Sequence, residues 1–350
     1  MKQKKGVCFA SKLSTTILVF AIVYAVFCLT NAFAEAKFVM KGGTSVSEKV
    51  WHNILAEKWA EMITERSNGE VEVQSNCCAV LGSDNEMGEK TMMGGLQWYY
   101  TSTSNLARFI KEMFAFELPY LVQDLDDNYK VFYENGSLGG PITEVVQEQL
   151  AKKNLHLLWV SGANFRATIN SKGEIKVPKD TEGIKLRVTA SAVEREDVAS
   201  WGGSPVPMAY GEVYTALQQG TIDGLGIGLA EAYPMKFYEV CKYAVKNHYN
   251  AYAPVILVNL EYWNKLPEEY QKLIRQASDD IVKWGSERMP TEYNEFYEKE
   301  LEKAGMQIYT PTEEEMKIWR DTTINAVWPQ FVGKDISQEW LDLWKQRLGR

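Results

Sequence analysis

Histidine is scarce in this chain, cysteine nearly so, and catalytic signatures are missing. There are three histidines, His52, His156 and His248, in 350 residues. None stands in an H-e-x-x-H arrangement, so the helical zinc-hydrolase pattern is excluded. No G-x-S-x-G elbow and no Walker loop occurs, which removes the commonest hydrolase and nucleotide-phosphate signatures. Five cysteines include no C-x-x-C pair. The segment GLGIG at 224–228 has the spacing G-x-G-x-G and only Thr221 to Asp223 as a preceding strand, so it does not make a dinucleotide fingerprint. Neither a metal nor a cofactor is expected. No internal repeat, low-complexity stretch or flexible linker interrupts the chain.

A long apolar run is also absent, except at the start. Lys2, Lys4, Lys5 and Lys12 precede the run Ile17 to Leu29, and Ala32-Phe33-Ala34 follows it. A basic segment, a short apolar core and an A-x-A site form an export signal. The run is short for a membrane span, and Val26 and Phe27 before Cys28 make no lipobox. Cleavage is expected after Ala34, leaving an exported, periplasmic protein with no inserted segment. The formal net charge is −8, and losing four lysines leaves −12. So acidic a chain is a poor partner for nucleic acid or anionic membrane, and an anion site in it must be built locally. The remaining 316 residues are enough for two domains. They hold three cysteines, an odd number. Cys77 and Cys78 could bond to each other, one of them could pair with Cys241, or all could be apolar fillers.

Strand and helix signals alternate. Lys37 to Lys41 reads as a strand. Val50, Trp51, Ile54, Leu55, Trp59, Met62 and Ile63 recur at helical spacing. Val71 and Val73 begin a second strand, and Ser83 with Glu86 makes a capping box for the next helix. Trp98 to Tyr100 is a strand, Ile142 to Lys153 an amphipathic helix, and 155–160 a strand. Ile184 to Val188, Val240 to Asn247 and Ala251 to Asn259 are further strands. Ala192 to Trp201 is a helix. A helical pattern runs from Glu268 to Ala304, with a kink expected at Pro290. Such alternation predicts an α/β fold with a largely parallel sheet. In 205–224, PVPMAYGEVYTALQQGTIDG, the prolines make a strand begin at an edge or a crossing point. Gly211 opens a short helix and Gly220 closes it as a left-handed C′ residue.

Two arginines carry the chemistry. In GIKLRV, period-2 alternation puts Lys185 and Arg187 on the face opposite Ile184, Leu186 and Val188. A buried guanidinium needs an anion, which a structural Asp or Glu or a ligand carboxylate could supply; its planar fork suits a carboxylate. Arg166 lies in SGANFRATINS, past the strand 155–160. The loop YTSTSNLARF presents Ser102, Thr103 and Ser104, as ligand donors or as caps. Trp51, Tyr210 and Tyr214 are aromatic candidates for either pocket or core.

The wording of 205–224, with G-x-K-x-R around Arg187, resembles the substrate-binding proteins of tripartite ATP-independent periplasmic (TRAP) transporters, the dicarboxylate-binding-protein-like family. The resemblance runs from about Lys37 to beyond Lys303. It implies a two-domain periplasmic binding-protein fold with a long helix spanning both domains. The implied units are 35–162 plus 249–284 and 163–248 plus 285–350, with crossings near Ala163, near His248 and within the long helix. It further implies a small carboxylate ligand in the interdomain cleft, membrane permease subunits as partners, and no enzymatic activity; delivery of the ligand to a periplasmic sensor, or thiol redox chemistry at Cys77-Cys78, are the alternatives. Arg187 becomes the main carboxylate ligand and Arg166 the second. Relatives follow the signature with a polar set whose Asn meets the ligand; here Leu225, Gly226, Ile227 and Gly228 stand instead. That departure predicts an apolar, roomier site facing Ile227, and an apolar or aromatic monocarboxylate.

Overall fold

The computed structural model describes residues 36–162 and 164–350. The expected signal segment and its cleavage site, and the crossing at Ala163, fall outside them. In chain order the strands are β1 (Phe38–Gly43), β2 (Val71–Asn76), β3 (Trp98–Ser102), the hairpin β4 (Tyr133–Glu134) and β5 (Ser137–Leu138), β6 (Leu155–Val160) and β7 (Asn164–Asn170). There follow β8 (Lys185–Val188), β9 (Ser204–Pro207), β10 (Gly224–Gly228), β11 (Tyr243–Val245), β12 (Ala251–Tyr252), β13 (Pro254–Asn259) and β14 (Gln307–Tyr309).

One sheet has the order β3-β13-β6, with the parallel pair β1-β2 beside it. The larger sheet has the order β14-β11-β7-β10-β8-β9, and β12 adds to β7. The expected edge position of the Pro205 and Pro207 strand is met: β9 ends its sheet, parallel to β8. Gly220 sits just past the helix Val213–Gln218 with φ +69°, as a C′ residue should.

Three expectations change. The larger sheet is mixed, because β7 runs antiparallel to β10 and β11 among parallel pairs, and the sheet β3-β13-β6 is antiparallel throughout. A parallel neighbour needs a crossover helix within one lobe; β7 and β13 instead arrive directly from a strand of the other sheet. The strand Val240–Asn247 exists only as β11, since a 3₁₀ turn at Phe237–Glu239 precedes it. The strand Ala251–Asn259 is cut before Pro254, which lacks a ladder donor. Its first half joins β7 and its second half joins β3 and β6. The chain therefore passes between sheets after β6 and again at Ala253.

The third passage is helical. Glu268–Arg288 continues through a π-helical segment, Met289–Glu295, into Phe296–Lys303. Pro290 cannot donate to the α ladder, and a wider turn absorbs the defect. Ile274 and Ile281 bury in one core, with Trp59, Trp98 and Trp159. Leu301 buries in another, with Val213, Leu217, Leu225 and Phe237. One helix is thus anchored in both lobes. The C-terminal helix Gln338–Leu348 turns back to the first core, where Trp344 lies 5.9 Å from Phe116 and 5.8 Å from Phe132 by ring centroids.

Cys77 and Cys78 are joined as a vicinal disulfide, and Cys241 is free and buried. Burial pushes the Cys241 thiol up to about 12, so it is inert at neutral pH. Among the described residues no helix is long and apolar enough to cross a membrane, and no cluster of His, Cys, Asp and Glu could hold a metal.

The glycines of β10 let the backbone approach closely. A Cβ on Gly226 would lie 1.8 Å from the Tyr249 hydroxyl, and Tyr249 is itself wedged edge-on against Trp201 at 4.7 Å. Gly226→Ala should therefore destabilise the protein by about 1–3 kcal/mol, the range for overpacking. Gly211→Ala, with nothing within 4 Å of its Cβ, serves as the control. Equal denaturation midpoints for the two variants would show that Tyr249 gives way at no cost.

Candidate functional site

Between the sheets lies a cavity of about 50 Å³. Ser45, Val46, His52, Asp84, Tyr100, Ser102 and Asn105 face it from the side of the first sheet. Arg166, Arg187, Thr189, Tyr210, Gly226, Ile227, Glu231 and Tyr252 face it from the other. A second cavity of about 220 Å³ adjoins it and shares Asp84, Asn105, Arg187 and Tyr210.

Arg187 reaches the cavity because Leu186 and Val188, its neighbours on β8, turn the opposite way into a core with Trp201 and Trp319. It is 4% exposed. Its Nε donates to the Met208 carbonyl at 3.0 Å, and its guanidinium lies 5.6 Å from the Tyr210 ring centroid. No acid of the described residues forms an ion pair with it, and its two terminal nitrogens donate to none of them. Burial pulls its pKa below the usual arginine range, opposed by Glu194 and reinforced by Arg166. A cation under that penalty is stabilised by any anion that reaches it.

Arg166, on β7, is already engaged. It donates to the Gly226 carbonyl at 3.0 Å and the Ser104 hydroxyl at 3.1 Å, and its Nε lies 3.6 Å from Glu194 Oε1. Its guanidinium sits 4.5 Å over the Tyr252 ring. Burial lowers its pKa, but Glu194, the neighbouring tyrosines and Glu117 outweigh that and the net shift is upward. Behind it, burial and then the repulsion of Glu194 hold Glu117 up at about 7. Ser104 and Ser191 hydrogen bonds restrain that rise. Burial, Glu194 and Glu117 raise Asp197 further.

Two more acids face the cavity. Asp84 is the first residue of the helix Asp84–Met92 and accepts from Ser45 Oγ at 2.6 Å; burial raises its pKa. Glu231, 3% exposed, follows β10. Its Oε1 accepts from the Tyr252 hydroxyl, from Asn164 Nδ2 at 3.5 Å, and lies 3.4 Å from His52 Nε2. Burial depresses the His52 pKa, although Glu231 opposes this.

The remaining sequence candidates separate. Ser102 lines the cavity and caps the turn Thr103–Leu106 through Asn105 N at 3.3 Å. Thr103 does not line it; its Oγ accepts from Ala253 N at 3.0 Å, tying β3 to the β12–β13 passage. Trp51 is turned away and stacks on Trp284 at 5.5 Å, while His52, a 100° step further round the helix, faces the cavity. Tyr214 also lies off it, its hydroxyl on Glu239 at 2.5 Å. Tyr210 lines it. Ile227 touches it from the edge of the second core, where alternation places it with Leu225, Ala167 and Ile169. At about 50 Å³ the cavity is not the roomier space expected from GLGIG, and Asp84, Glu231, His52 and three tyrosines add polar groups to a wall that remains largely apolar.

Reading the sequence missed His52, Asp84, Tyr100, Glu231 and Tyr252. Asp84 stands inside the recognised capping box and Tyr100 opens the recognised loop, so both had a local signal. Glu231 and Tyr252 had none; they meet only through the pairing of β12 and β10 with β7.

Residues 42–335 match the family of bacterial extracellular solute-binding proteins, family 7 (DctP). The chain is 25% identical to the 2,3-diketo-L-gulonate-binding periplasmic protein YiaO of Escherichia coli (strain K12), over 93% of this chain and 95% of that protein. It is 28% identical to the sialic acid-binding periplasmic protein SiaP of Vibrio cholerae, over 74% of this chain and 79% of that one. Its fold is similar to a TRAP periplasmic solute-binding protein from Sulfurospirillum deleyianum crystallised with succinate. There the TM-score is 0.81 and the identity 25%, covering 89% of this chain and 99% of that one. A match across both lobes and the cleft between them makes this chain a member of the DctP family of TRAP-type solute-binding proteins, which are carriers for transporters and not enzymes.

Proposed function

We propose that the chain is exported to the periplasm by cleavage after Ala34 and captures a small organic acid between its lobes for TRAP permease subunits in the membrane. The observation that carries this reading is Arg187: a buried guanidinium whose terminal nitrogens have no acceptor among the described residues, at the wall of an interdomain cavity. Arg166, which shares that wall, is committed to Glu194, Gly226 and Ser104 and lends only its charge to the ligand's carboxylate, with Ser102 as a further donor. We take the lobes to be 35–162 with 249–284, and 163–248 with the segment from 285. The helix Gln338–Leu348 goes with the first lobe because it packs there.

We take the ligand to be a monocarboxylate with an apolar or aromatic body. Ile227 and the rings of Tyr100 and Tyr210 offer apolar contact. Asp84 and Glu231, which face the cavity from opposite sides, would repel a second carboxylate, which would find no spare cation, since Arg166 is committed to Glu194.

Arg187→Ala should remove binding while leaving the protein folded. Losing one partner of a buried charged pair costs about 2–5 kcal/mol, roughly thirty-fold to several thousand-fold in affinity. Arg187→Lys should recover only part of it, because the fork is lost. Calorimetry showing a folded Arg187→Ala protein that binds within about three-fold of the parent would remove Arg187 from the site. In competition, an aryl-substituted monocarboxylate should displace succinate and bind more tightly; tighter succinate binding would sink the monocarboxylate assignment.

The cavity by itself holds only a few waters, each needing on the order of 10–15 Å³, so an acid enters by using the adjoining cavity or by a parting of the lobes, which we take to move. The three passages, after β6, at Ala253 and at the π-helical segment, are the natural hinges. Small-angle scattering should show a smaller radius of gyration when a verified ligand saturates the protein. An unchanged profile would argue for a rigid cleft.

A further inference from the structure

Glu231 is a buried carboxylate with no lysine or arginine partner among the described residues. Tyr252, Asn164 and His52 all gather on Oε1; no donor of the described residues reaches Oε2. His52 meets Oε1 and leaves Oε2 free, and burial lowers its pKa against the pull of Glu231. The nearest guanidinium groups are committed: Arg166 to Glu194, and Arg187, on the preceding reading, to the ligand's carboxylate. An ionised acid in that position lacks a counter-charge. A second observation concerns the same cavity. The hydroxyls of Tyr100 and Tyr210 are buried without a hydrogen-bond partner among the described residues, and Tyr100 is only 2% exposed. Both face the cavity that Glu231 and Asp84 face. A phenol oxygen accepts as well as donates, and aromatic rings around a carboxylate suit an organic cation. The cleft therefore offers one unsatisfied cation and, across the same small space, a set of unsatisfied acceptors.

We propose that the ligand is a zwitterion, with its carboxylate on Arg187 and a cationic nitrogen on Glu231 Oε2, bordered by Tyr100 and Tyr210. This rests on the reading of Arg187 as the carboxylate anchor and adds the second pole. A ligand of this kind brings both missing charges into the cavity and leaves neither buried side chain unpaired. A simple anion answers only one of them. A hydroxyl on the ligand could donate to Oε2 but would leave the charge of Glu231 uncompensated.

The test compares cyclohexanecarboxylate with the three piperidine-carboxylates, which differ in the position of one ring nitrogen, by calorimetry on the whole exported chain. At least one piperidine acid should bind about ten-fold or more tightly than the carbocycle, at the low end of a desolvated charge pair. Glu231→Gln should abolish that preference, so that the best piperidine acid no longer binds more tightly than the carbocycle. Arg187→Ala should lose both. If cyclohexanecarboxylate binds through Arg187 as tightly as every piperidine acid, the zwitterion is refuted and the carboxylate reading stands. If the preference exists but survives in Glu231→Gln, the cation is not at Glu231. If none of the four acids binds, the carboxylate reading itself fails, and the zwitterion with it. The comparison on the parent protein decides the ligand class even if Glu231→Gln does not fold.

Discussion

The constraint on which the rest of this structure depends is a buried positive charge without a partner. Arg187 is held in a strand between two others, its Nε on a carbonyl and its terminal nitrogens turned to the cleft. Removing such a group from water costs several kcal/mol unless an anion compensates. A protein that needed only stability would place an acid beside it, as it does for Arg166 with Glu194 at 3.6 Å. The asymmetry between two arginines that share one cavity separates scaffold from receptor. Arg166 ties β7, β10 and the Ser104 turn together, and Arg187 waits for something brought from outside.

The acids behind the site follow from the same constraint. Glu117, Glu194 and Asp197 are all fully buried, yet burial and mutual repulsion raise Glu117 and Asp197 toward their neutral forms. Glu194, which takes two hydrogen bonds from Thr189, remains the acid aimed at Arg166. The region is therefore less negative than a count of its carboxyl groups suggests, which is how an acidic chain can build a local anion site against its own net charge of −8.

The architecture places that site where two lobes meet and where the chain passes between them three times. Two passages are short strand-to-strand links and the third is a helix carrying a π-helical segment at Pro290. Parallel pairing survives within each lobe, and the strands that arrive from the other lobe run against it. Short links permit rotation of rigid bodies, and the long helix, anchored at Ile281 in one core and Leu301 in the other, limits it.

The sequence by itself determined the class of the molecule and the kind of anchor. Periodicity marked the helices, Ser83 with Glu86 marked a cap, the prolines of β9 marked an edge, and alternation set Arg187 apart from its apolar neighbours. Each of these is a local rule, decided within a few residues of backbone geometry. What only the tertiary structure decided was the company Arg187 keeps. Trp51 and His52 are adjacent, and the rotation of one helix against Trp284 sent the first into the core and the second to the cleft. Leu225 and Ile227 suggested an apolar site, but Asp84, Glu231 and Tyr252 come from segments far apart in the chain. They meet through strand pairing across β7 and through lobe contact. A cavity wall is assembled from whatever long-range packing brings to it, and no local periodicity records that assembly.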